Sequence, residues 1–169
     1  MPLHLLAWNE ALAKWGVRLT EEEHDRWAGR PTAVIVDLLN KEHGVRMDAA
    51  AVSGDKEAAY FDLLPSVRPV RAVEEVLRSL HGQLPFAVVS GSPRDSVEKT
   101  LRHLNLMDLF EVILGAGDYK HGKPAPDCFL TAAAQLKASP SRCLVFEDAD
   151  LGVEAARAAG MGFIRVSSA

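Results

Sequence analysis

The stretch Phe86-Ala87-Val88-Val89-Ser90-Gly91-Ser92 decides the fold class of this chain. Four apolar residues pass directly into small polar residues, and Pro93 then opens a helical pattern that extends to Leu104. Short apolar runs that are bounded by turn residues are typical of strands buried on both faces of a sheet. The stretch therefore predicts a buried strand, a tight turn and a helix.

The same strand-then-helix unit recurs through the second half of the chain. Strands are predicted at 86–89, 111–114, 143–146 and 162–166, and helices at 70–80, 93–104, 126–136 and 151–159. Strands that alternate with helices predict a parallel, doubly wound sheet with helices on both faces. We therefore expect an α/β, Rossmann-like core in which each strand is buried on both faces.

The first part of the chain shows no convincing strand. Helical periodicity covers 3–15, 31–43 and 47–64, and Thr20 followed by Glu23 is a capping-box pattern for a short helix that ends near Gly29. We interpret residues 16–66 as an inserted helical cap, and residues 1–15 with 67–169 as the core.

Composition excludes several classes of function. The 169 residues carry a net charge of −4 with acids and bases interleaved, which argues against nucleic-acid binding. The apolar runs are far shorter than the roughly 20 residues of a membrane span, and residues 1–10 do not have the pattern of a signal peptide. Cys128 and Cys143 lack metal-type spacing, so we expect reduced thiols in a cytoplasmic protein. As a separate expectation, the protein is a monomer or weak dimer.

Polar residues gather where the predicted strands end, which is where open parallel sheets bind ligands. Ser90 and Gly91 precede a helix, an arrangement that suits an anionic oxygen but also occurs in ordinary turns. Lys123 lies in a loop stiffened by Pro124 and Pro126, where it can neutralise phosphate; a solvated lysine is the alternative. These features individually leave both interpretations open.

A third polar segment follows the strand predicted at 143–146. Glu147 and Asp148 are adjacent carboxylates, with Asp150 two residues on, and such a cluster is costly unless a cation offsets its charge. Mg²⁺ prefers oxygen ligands and needs only one or two protein carboxylates. Asp150 alone is also explained as the cap of the next helix.

Taken in order, these segments resemble the haloacid dehalogenase superfamily. The motifs are Ser-Gly-Ser at 90–92, Gly-Lys-Pro-Ala-Pro-Asp at 122–127, and Phe-Glu-Asp-Ala-Asp-Leu-Gly at 146–152 followed by Ala-Ala-Arg-Ala-Ala-Gly-Met at 155–161. The resemblance covers essentially the whole chain. It is greatest to the β-phosphoglucomutase-like branch with a helical cap, and within it to phosphatases of the fructose-1-phosphate and 6-phosphogluconate type.

The resemblance implies a role for each motif. Ser90 and the N–H of Gly91 would hold phosphoryl oxygens, Lys123 would neutralise phosphate, and Asp148 with Glu147 would hold Mg²⁺. His4 and Arg30 would lie near the substrate. An exposed position explains His4 equally well, and for Arg30 an exposed position without a role is the favoured interpretation. His24, His43, His81 and His103 are interpreted as surface residues.

The family's nucleophile is expected in an Asp-x-Asp-Gly-Thr motif at the end of a first core strand, just before the helix that opens this chain. The sequence contains one Asp-x-Asp, at 148–150, and it fits the metal motif instead. We therefore expect the first strand and the nucleophile to be missing, so that this chain is inactive alone. A late start codon, a trimmed polypeptide and a naturally shortened protein each explain this.

The leading prediction is a Mg²⁺-dependent phosphatase that acts on small sugar phosphates through an aspartyl-phosphate in the full-length protein. Two alternatives stay open. The first is phosphoryl transfer of the β-phosphoglucomutase type, against which Asp150 and the Gly-Arg-Pro-Thr turn at 29–32 argue. The second is a non-catalytic relative that binds phosphate or a partner without turnover.

Overall fold

A computed structural model describes residues 2–167 of the chain. The helices are α1 (Pro2–Leu12), α2 (Glu21–Trp27), α3 (Thr32–His43), α4 (Ala49–Leu63), α5 (Arg71–Leu80), α6 (Arg94–His103), α7 (Asp127–Gln135) and α8 (Asp150–Ala158). The strands are β1 (Ala87–Pro93), β2 (Val112–Ala116), β3 (Leu144–Glu147) and β4 (Gly162–Arg165). Each predicted helix and strand is present, with ends that differ by a few residues.

Local sequence signals set several helix ends. The capping box at α2 is formed as predicted: the Glu23 N–H donates to the Thr20 hydroxyl oxygen at 3.2 Å, and the Thr20 N–H donates to the Glu23 carboxylate at 2.8 Å. Asp48 caps α4 by accepting a hydrogen bond from the Ala51 N–H at 2.8 Å. Gly44 ends α3 in the left-handed conformation, with φ of 65°.

The helices of the first part enclose a core of their own. Trp8 and Leu12 of α1 pack with Trp27 of α2 and with buried residues of α3, including Val36 and Leu39. We expected residues 1–15 to belong to the sheet core, whereas the inner face of α1 packs in this helical cluster. The domain division remains a prediction, but α1 packs with α2, α3 and α4. We call these four helices the helical layer.

The four strands form two separate parallel pairs. Ala87, Val88 and Val89 of β1 lie opposite residues 112–114 of β2, and residues 144–147 of β3 lie opposite 162–165 of β4. Within residues 2–167, no ladder joins β1 to β3. The parallel direction and the alternation with helices confirm the predicted α/β, Rossmann-like fold class.

Burial differs from the prediction in the second strand pair. Val145 and Phe163 pack against the core between α7 and α8. On the opposite face Leu144 is 55% exposed and Ile164 is 44% exposed. The prediction that every strand is buried on both faces is therefore wrong for β3 and β4, because within the described residues α7 and α8 cover one face only. It is also wrong for β1, whose seven residues are all only partly buried.

Two smaller expectations concern the membrane and the thiols. Among the helices described for residues 2–167, none is both long and apolar enough to cross a membrane. Cys128 is buried between α7 and α8, Cys143 is partly buried before β3, and both are free thiols as expected.

Candidate active site

A cavity of about 340 Å³ lies between the helical layer and the carboxyl ends of β1 and β3. Every residue that the sequence analysis assigned to the site lines this cavity: His4, Arg30, Ser90, Gly91, Lys123, Glu147 and Asp148. Parallel strands open at their carboxyl ends in this way because the connecting loops leave a crevice there. The three motif segments therefore converge on one space.

A break in strand pairing shapes the Ser90–Ser92 segment. Val89 lies opposite Leu114 and Pro93 opposite Ala116, so β1 advances four residues while β2 advances two. The extra residues form a bulge, a feature that re-aims side chains at the edge of a site. The Ser92 N–H donates to the Ser90 hydroxyl oxygen at 3.1 Å, so that the hydroxyl proton stays available for a ligand.

Close backbone contacts join the helical layer to the core. A Cβ atom on Gly91 would lie 2.8 Å from the carbonyl oxygens of Gly29 and Arg30, and one on Gly122 would lie 2.6 Å from the Pro31 ring. Side chains at these two core positions would collide with the turn at 29–31. The glycines therefore allow that turn to lie directly over the core loops that carry the phosphate-binding candidates.

Lys123 and Glu147 form a buried ion pair. The Lys123 ammonium donates to Glu147 Oε2 at 2.6 Å, and the two residues are 6% and 8% exposed. Glu147 Oε1 accepts hydrogen bonds from the N–H groups of Asp148 and Ala149, each at 3.1 Å. Burial raises the pKa of Glu147, but Lys123 offsets that effect and lowers it overall, so the carboxylate stays ionised.

Of the two adjacent carboxylates, Asp148 is the one that remains available to bind a cation. Within residues 2–167 it has no salt-bridge partner, and burial together with the neighbouring Glu147 raises its pKa. It also lines a second cavity, of about 510 Å³, next to Asp150 and Arg165. A partly buried carboxylate that lacks a cationic partner is a fitting ligand for a divalent cation, whereas both oxygens of Glu147 are already engaged.

Asp150 does not cap α8. The cap position is Ala149, and the Asp150 side chain forms an ion pair with Arg165. Asp150 is exposed, so this pair contributes little to stability. The alternative explanation of Asp150 as a helix cap is wrong.

His4 lies at the cavity with its ring stacked on Tyr60, at 4.4 Å between centroids and 7° between planes. Burial, and then the neighbouring Lys56 ammonium, lower the pKa of His4 to about 3. The imidazole is therefore neutral at physiological pH, with one nitrogen that donates and one that accepts. Such a group suits sugar hydroxyls better than a second phosphate.

Arg30 contributes a partly buried guanidinium to the same wall. Its Nε atom is buried and has no hydrogen-bond partner within the described residues. Buried donors are normally paired, so this nitrogen is suited to a polar ligand group. The alternative prediction of an exposed Arg30 is therefore wrong, because the residue is partly buried.

Sequence reasoning missed two polar residues of the cavity wall. His24, predicted at the surface, is 6% exposed, and Lys56 is 2% exposed with its ammonium 2.7 Å from Glu57 Oε1. Helical spacing held the missing signal, because His24 is three residues before Trp27 and Lys56 is four residues before Tyr60, and both aromatic residues are buried. The prediction of a surface histidine is therefore wrong at position 24.

A separate group of possible metal ligands lies outside the cavity. Carboxylate and imidazole atoms of Glu23, Glu42 and His43 lie within 4.8 Å of one another. Glu42 and His43 are exposed, and Glu23 already accepts hydrogen bonds from Thr20. This group is explained by helix capping and surface charge.

Comparison with known proteins places the site in a family context. A family model described as "Haloacid dehalogenase-like hydrolase" matches residues 2–166. The fructose-1-phosphate phosphatase YqaB of Escherichia coli is 39% identical over 166 residues, which cover 98% of this chain and 88% of that protein. The validoxylamine A 7'-phosphate phosphatase of Streptomyces hygroscopicus is 31% identical and matches 92% of this chain and 73% of its own length.

A solved structure extends the comparison to the fold. β-Phosphoglucomutase from Clostridium difficile superposes with a TM-score of 0.85, over 99% of this chain and 78% of that one. The sequence identity is 22%, so this likeness shows the fold alone.

Proposed function

The chain belongs to the haloacid dehalogenase-like hydrolase family, and from that premise we propose that it is a Mg²⁺-dependent phosphatase of small sugar phosphates. One observation carries the proposal: Ser90, Lys123 and Asp148, from three separate segments, line the same cavity. A hydroxyl, an ammonium and a carboxylate are the groups needed around a phosphate and its cation.

We assign the phosphate to the Ser90–Ser92 bulge and to Lys123. The free hydroxyl proton of Ser90 and the N–H of Gly91 bind phosphoryl oxygens, while the Lys123 ammonium offsets their charge. Glu147 orients that ammonium through the 2.6 Å contact.

We assign the divalent cation to Asp148. Its partly buried carboxylate lacks a cationic partner among residues 2–167, and a carboxylate oxygen is a ligand that fits Mg²⁺. When bound, the ion would offset charge on the phosphoryl group. Glu147 is the neighbouring carboxylate of the motif, and its hydrogen bonds to the backbone hold the turn on which Asp148 lies.

We propose further that a strand with an Asp-x-Asp-Gly-Thr motif completes the enzyme between β1 and β3. The two separate strand pairs support this idea, because a parallel strand between them would pair with both edges. In the full-length protein the first aspartate of this motif attacks phosphorus, and the bond between phosphorus and the sugar oxygen breaks. The second aspartate protonates that oxygen as it leaves. Water then hydrolyses the aspartyl-phosphate.

The helical layer is assigned to the sugar. His4 is neutral, and the Nε of Arg30 is buried without a partner among the described residues, so both are able to bind sugar hydroxyl groups. These groups define a polar substrate class without identifying a single sugar. A cytoplasmic location and a monomeric or weakly dimeric state remain part of the proposal.

Calorimetric titration with inorganic phosphate in the presence of Mg²⁺ tests the proposed site. We expect the unchanged chain to bind phosphate and Lys123→Ala to bind it at least tenfold more weakly. Phosphate binding by Asp148→Asn should no longer depend on Mg²⁺. Lys120→Ala and Asp108→Asn change exposed residues of the same types and should bind as the unchanged chain does. Equal binding by Lys123→Ala and Lys120→Ala would remove the basis of the proposal.

Turnover separates the proposed phosphatase from its alternatives. A version of the protein that carries the Asp-x-Asp-Gly-Thr strand should release phosphate from sugar phosphates. Isomerisation of glucose-1-phosphate would support the mutase instead. Phosphate binding without either reaction would support the non-catalytic relative.

A further inference from the structure

A tyrosine outside the sequence motifs contacts the phosphate-binding candidate segment. Tyr119 lies in the loop that leads from β2 to Lys123, and its hydroxyl donates to the carbonyl oxygen of Ser90 at 2.8 Å. The ring packs against the buried clusters that contain Cys128 and Leu114. A phenylalanine would pack in the same way, so the hydroxyl is the part of Tyr119 that packing does not explain.

The bulge in β1 explains why this hydrogen bond is needed. Regular pairing with β2 stops at Val89 and resumes at Pro93, so Ser90 has no partner residue in the ladder. A backbone carbonyl without a ladder partner needs another donor when it is partly buried. Tyr119 supplies that donor.

The hydrogen bond also sets the direction of a proposed phosphate donor. The Ser90 carbonyl and the Gly91 N–H belong to one planar peptide group and point in opposite directions. Holding the carbonyl therefore fixes where the N–H points. A hydrogen bond to the carbonyl also polarises the peptide and strengthens its N–H as a donor.

The residue before Tyr119 holds the other end of the same segment. Asp118 accepts a hydrogen bond from the Gly115 N–H at 2.8 Å and lies 3.5 Å from the Arg94 guanidinium, at the start of α6. Tyr119 thus contacts the first residue of the bulge and Asp118 contacts the chain just after it, and the two residues are four and five positions before Lys123, respectively. Burial raises the pKa of Tyr119 to about 12, so its hydroxyl remains a donor across the physiological range.

We propose that Tyr119 is a positioning residue: its hydroxyl aims the Ser90–Gly91 peptide at the phosphate and couples this segment to the loop that carries Lys123. The inference rests on the proposed function, because it requires phosphate to bind at Ser90 and Lys123. It adds a residue that touches no substrate and acts through the peptide group it holds.

The test uses Tyr119→Phe and Tyr60→Phe, which make the same chemical change at the two tyrosines of the chain. Tyr60 bonds to the Thr100 hydroxyl at 3.2 Å, away from the bulge. In titrations of the full chain with inorganic phosphate and Mg²⁺, Tyr119→Phe should bind about three- to tenfold more weakly, as expected for one lost hydrogen bond. Tyr60→Phe should bind phosphate within about twofold of the unchanged chain, even if its thermal stability falls by as much as that of Tyr119→Phe.

The Gly91 amide gives a second readout. Its ¹H–¹⁵N resonance should move in Tyr119→Phe before phosphate is added and stay in place in Tyr60→Phe. If Tyr119→Phe does not fold, Tyr60→Phe labelled with 3-fluorotyrosine carries a single fluorine at position 119. Its ¹⁹F resonance should then shift when phosphate saturates the site.

The outcomes separate the two proposals. A chain that binds phosphate with equal affinity before and after Tyr119→Phe overturns the positioning role and leaves the proposed function intact. An unmoved Gly91 resonance, or an unmoved ¹⁹F resonance at saturation, does the same. An unchanged chain that binds no phosphate overturns the proposed function, and the role of Tyr119 falls with it.

Discussion

The two strand pairs share a direction and differ in what covers them. In the β1–β2 pair, Ile113 packs with residues of α5 and α6, and Leu114 packs with Ala132 of α7. Helices thus cover both faces of this pair. In the β3–β4 pair one face packs on α7 and α8, and the other exposes Leu144 and Ile164.

Because of this difference, the candidate binding groups lie on strand pairs that are buried to different extents. The Ser90–Ser92 bulge lies in the β1–β2 pair, which helices cover on both faces. Glu147 and Asp148 lie at the end of β3, in the pair that helices cover on one face. The Lys123–Glu147 contact connects them, since Lys123 follows β2 and Glu147 ends β3. If the proposed sites are right, we therefore expect phosphate affinity and metal affinity to depend on different halves of the core.

Replacing Lys123 by methionine should have the largest effect on stability. The change leaves the Glu147 carboxylate buried without its cation, and losses of about 3–5 kcal/mol are typical of a broken buried pair. Urea unfolding at pH 7 measures this loss. Lys120→Met, at an exposed lysine, should change the free energy of unfolding by less than about 0.5 kcal/mol. The connection between the two pairs would be refuted by equal stabilities of these variants.

Leucine truncation compares the two pairs directly. Leu114→Ala removes a side chain that is 1% exposed on β2 and should lower the free energy of unfolding by about 2–5 kcal/mol. Leu144→Ala removes the same atoms from a side chain that is 55% exposed on β3 and should cost less than about 0.5 kcal/mol. Urea denaturation of the two variants side by side gives both values. A large loss for Leu144→Ala would show that the open face of β3 is covered in solution.

Acid should weaken the His4 side of the cavity below pH 6.5 and both sides below pH 4.5. The lowered pKa of His4 gives stability that is complete above its ordinary value of 6.5 and declines as the pH falls, by at most about 1.4 kcal/mol per pH unit. The lowered pKa of Glu147 gives stability that is complete above its ordinary value of 4.5 and declines below it. Urea unfolding at pH 7 to 3.5 resolves the two windows.

Variants assign each pH window to its side of the cavity. His4→Phe keeps an aromatic ring beside Tyr60 and should flatten the decline between pH 6.5 and 4.5. Lys123→Met combined with Glu147→Gln should remove the part of the decline below pH 4.5 that comes from Glu147. The part that comes from His4, whose pKa is about 3, should remain, and the upper window should be unchanged. His103→Phe alters an exposed histidine and should leave both windows as they are.

Hydrogen exchange should show the smallest difference between the pairs. Amides of Val112 and Leu114 should exchange at least about tenfold more slowly than those of Val145 and Phe163, because local opening is easier where fewer buried contacts resist it. A tenfold ratio corresponds to about 1.4 kcal/mol of opening free energy. Native-state exchange followed by NMR gives the ratio. Equal protection would mean that the two pairs open as one unit.

Much of the fold followed from the sequence because its signals are local. Apolar runs of four residues, capping patterns such as Thr20 with Glu23, and prolines at helix starts predicted every helix and strand. The family and the fold class were also identified correctly. The burial of β3 and β4 was not predicted, since an apolar run shows that a strand seeks burial without showing which layers cover it.

The site residues were found where a motif carried them, and missed where three-dimensional packing did. Ser90 lies in the bulge that precedes the carboxyl end of β1, Lys123 lies in the loop after β2, and Asp148 directly follows β3. The edge of a parallel sheet therefore brings them together. His24 and Lys56 lie on helices whose inner faces become cavity wall only when the helical layer meets the core. Tyr119 resembles an ordinary core aromatic residue until the position of its hydroxyl is known.

The glycine contacts beneath the turn at 29–31 have a consequence for which positions tolerate substitution. Because Gly91 and Gly122 meet that turn without a side chain, a larger residue at either position would push the turn away from the core loops. Side chains of the cavity wall such as His24 take no part in these two contacts. We therefore expect substitutions in the cavity wall to be tolerated more readily than substitutions at these two glycines.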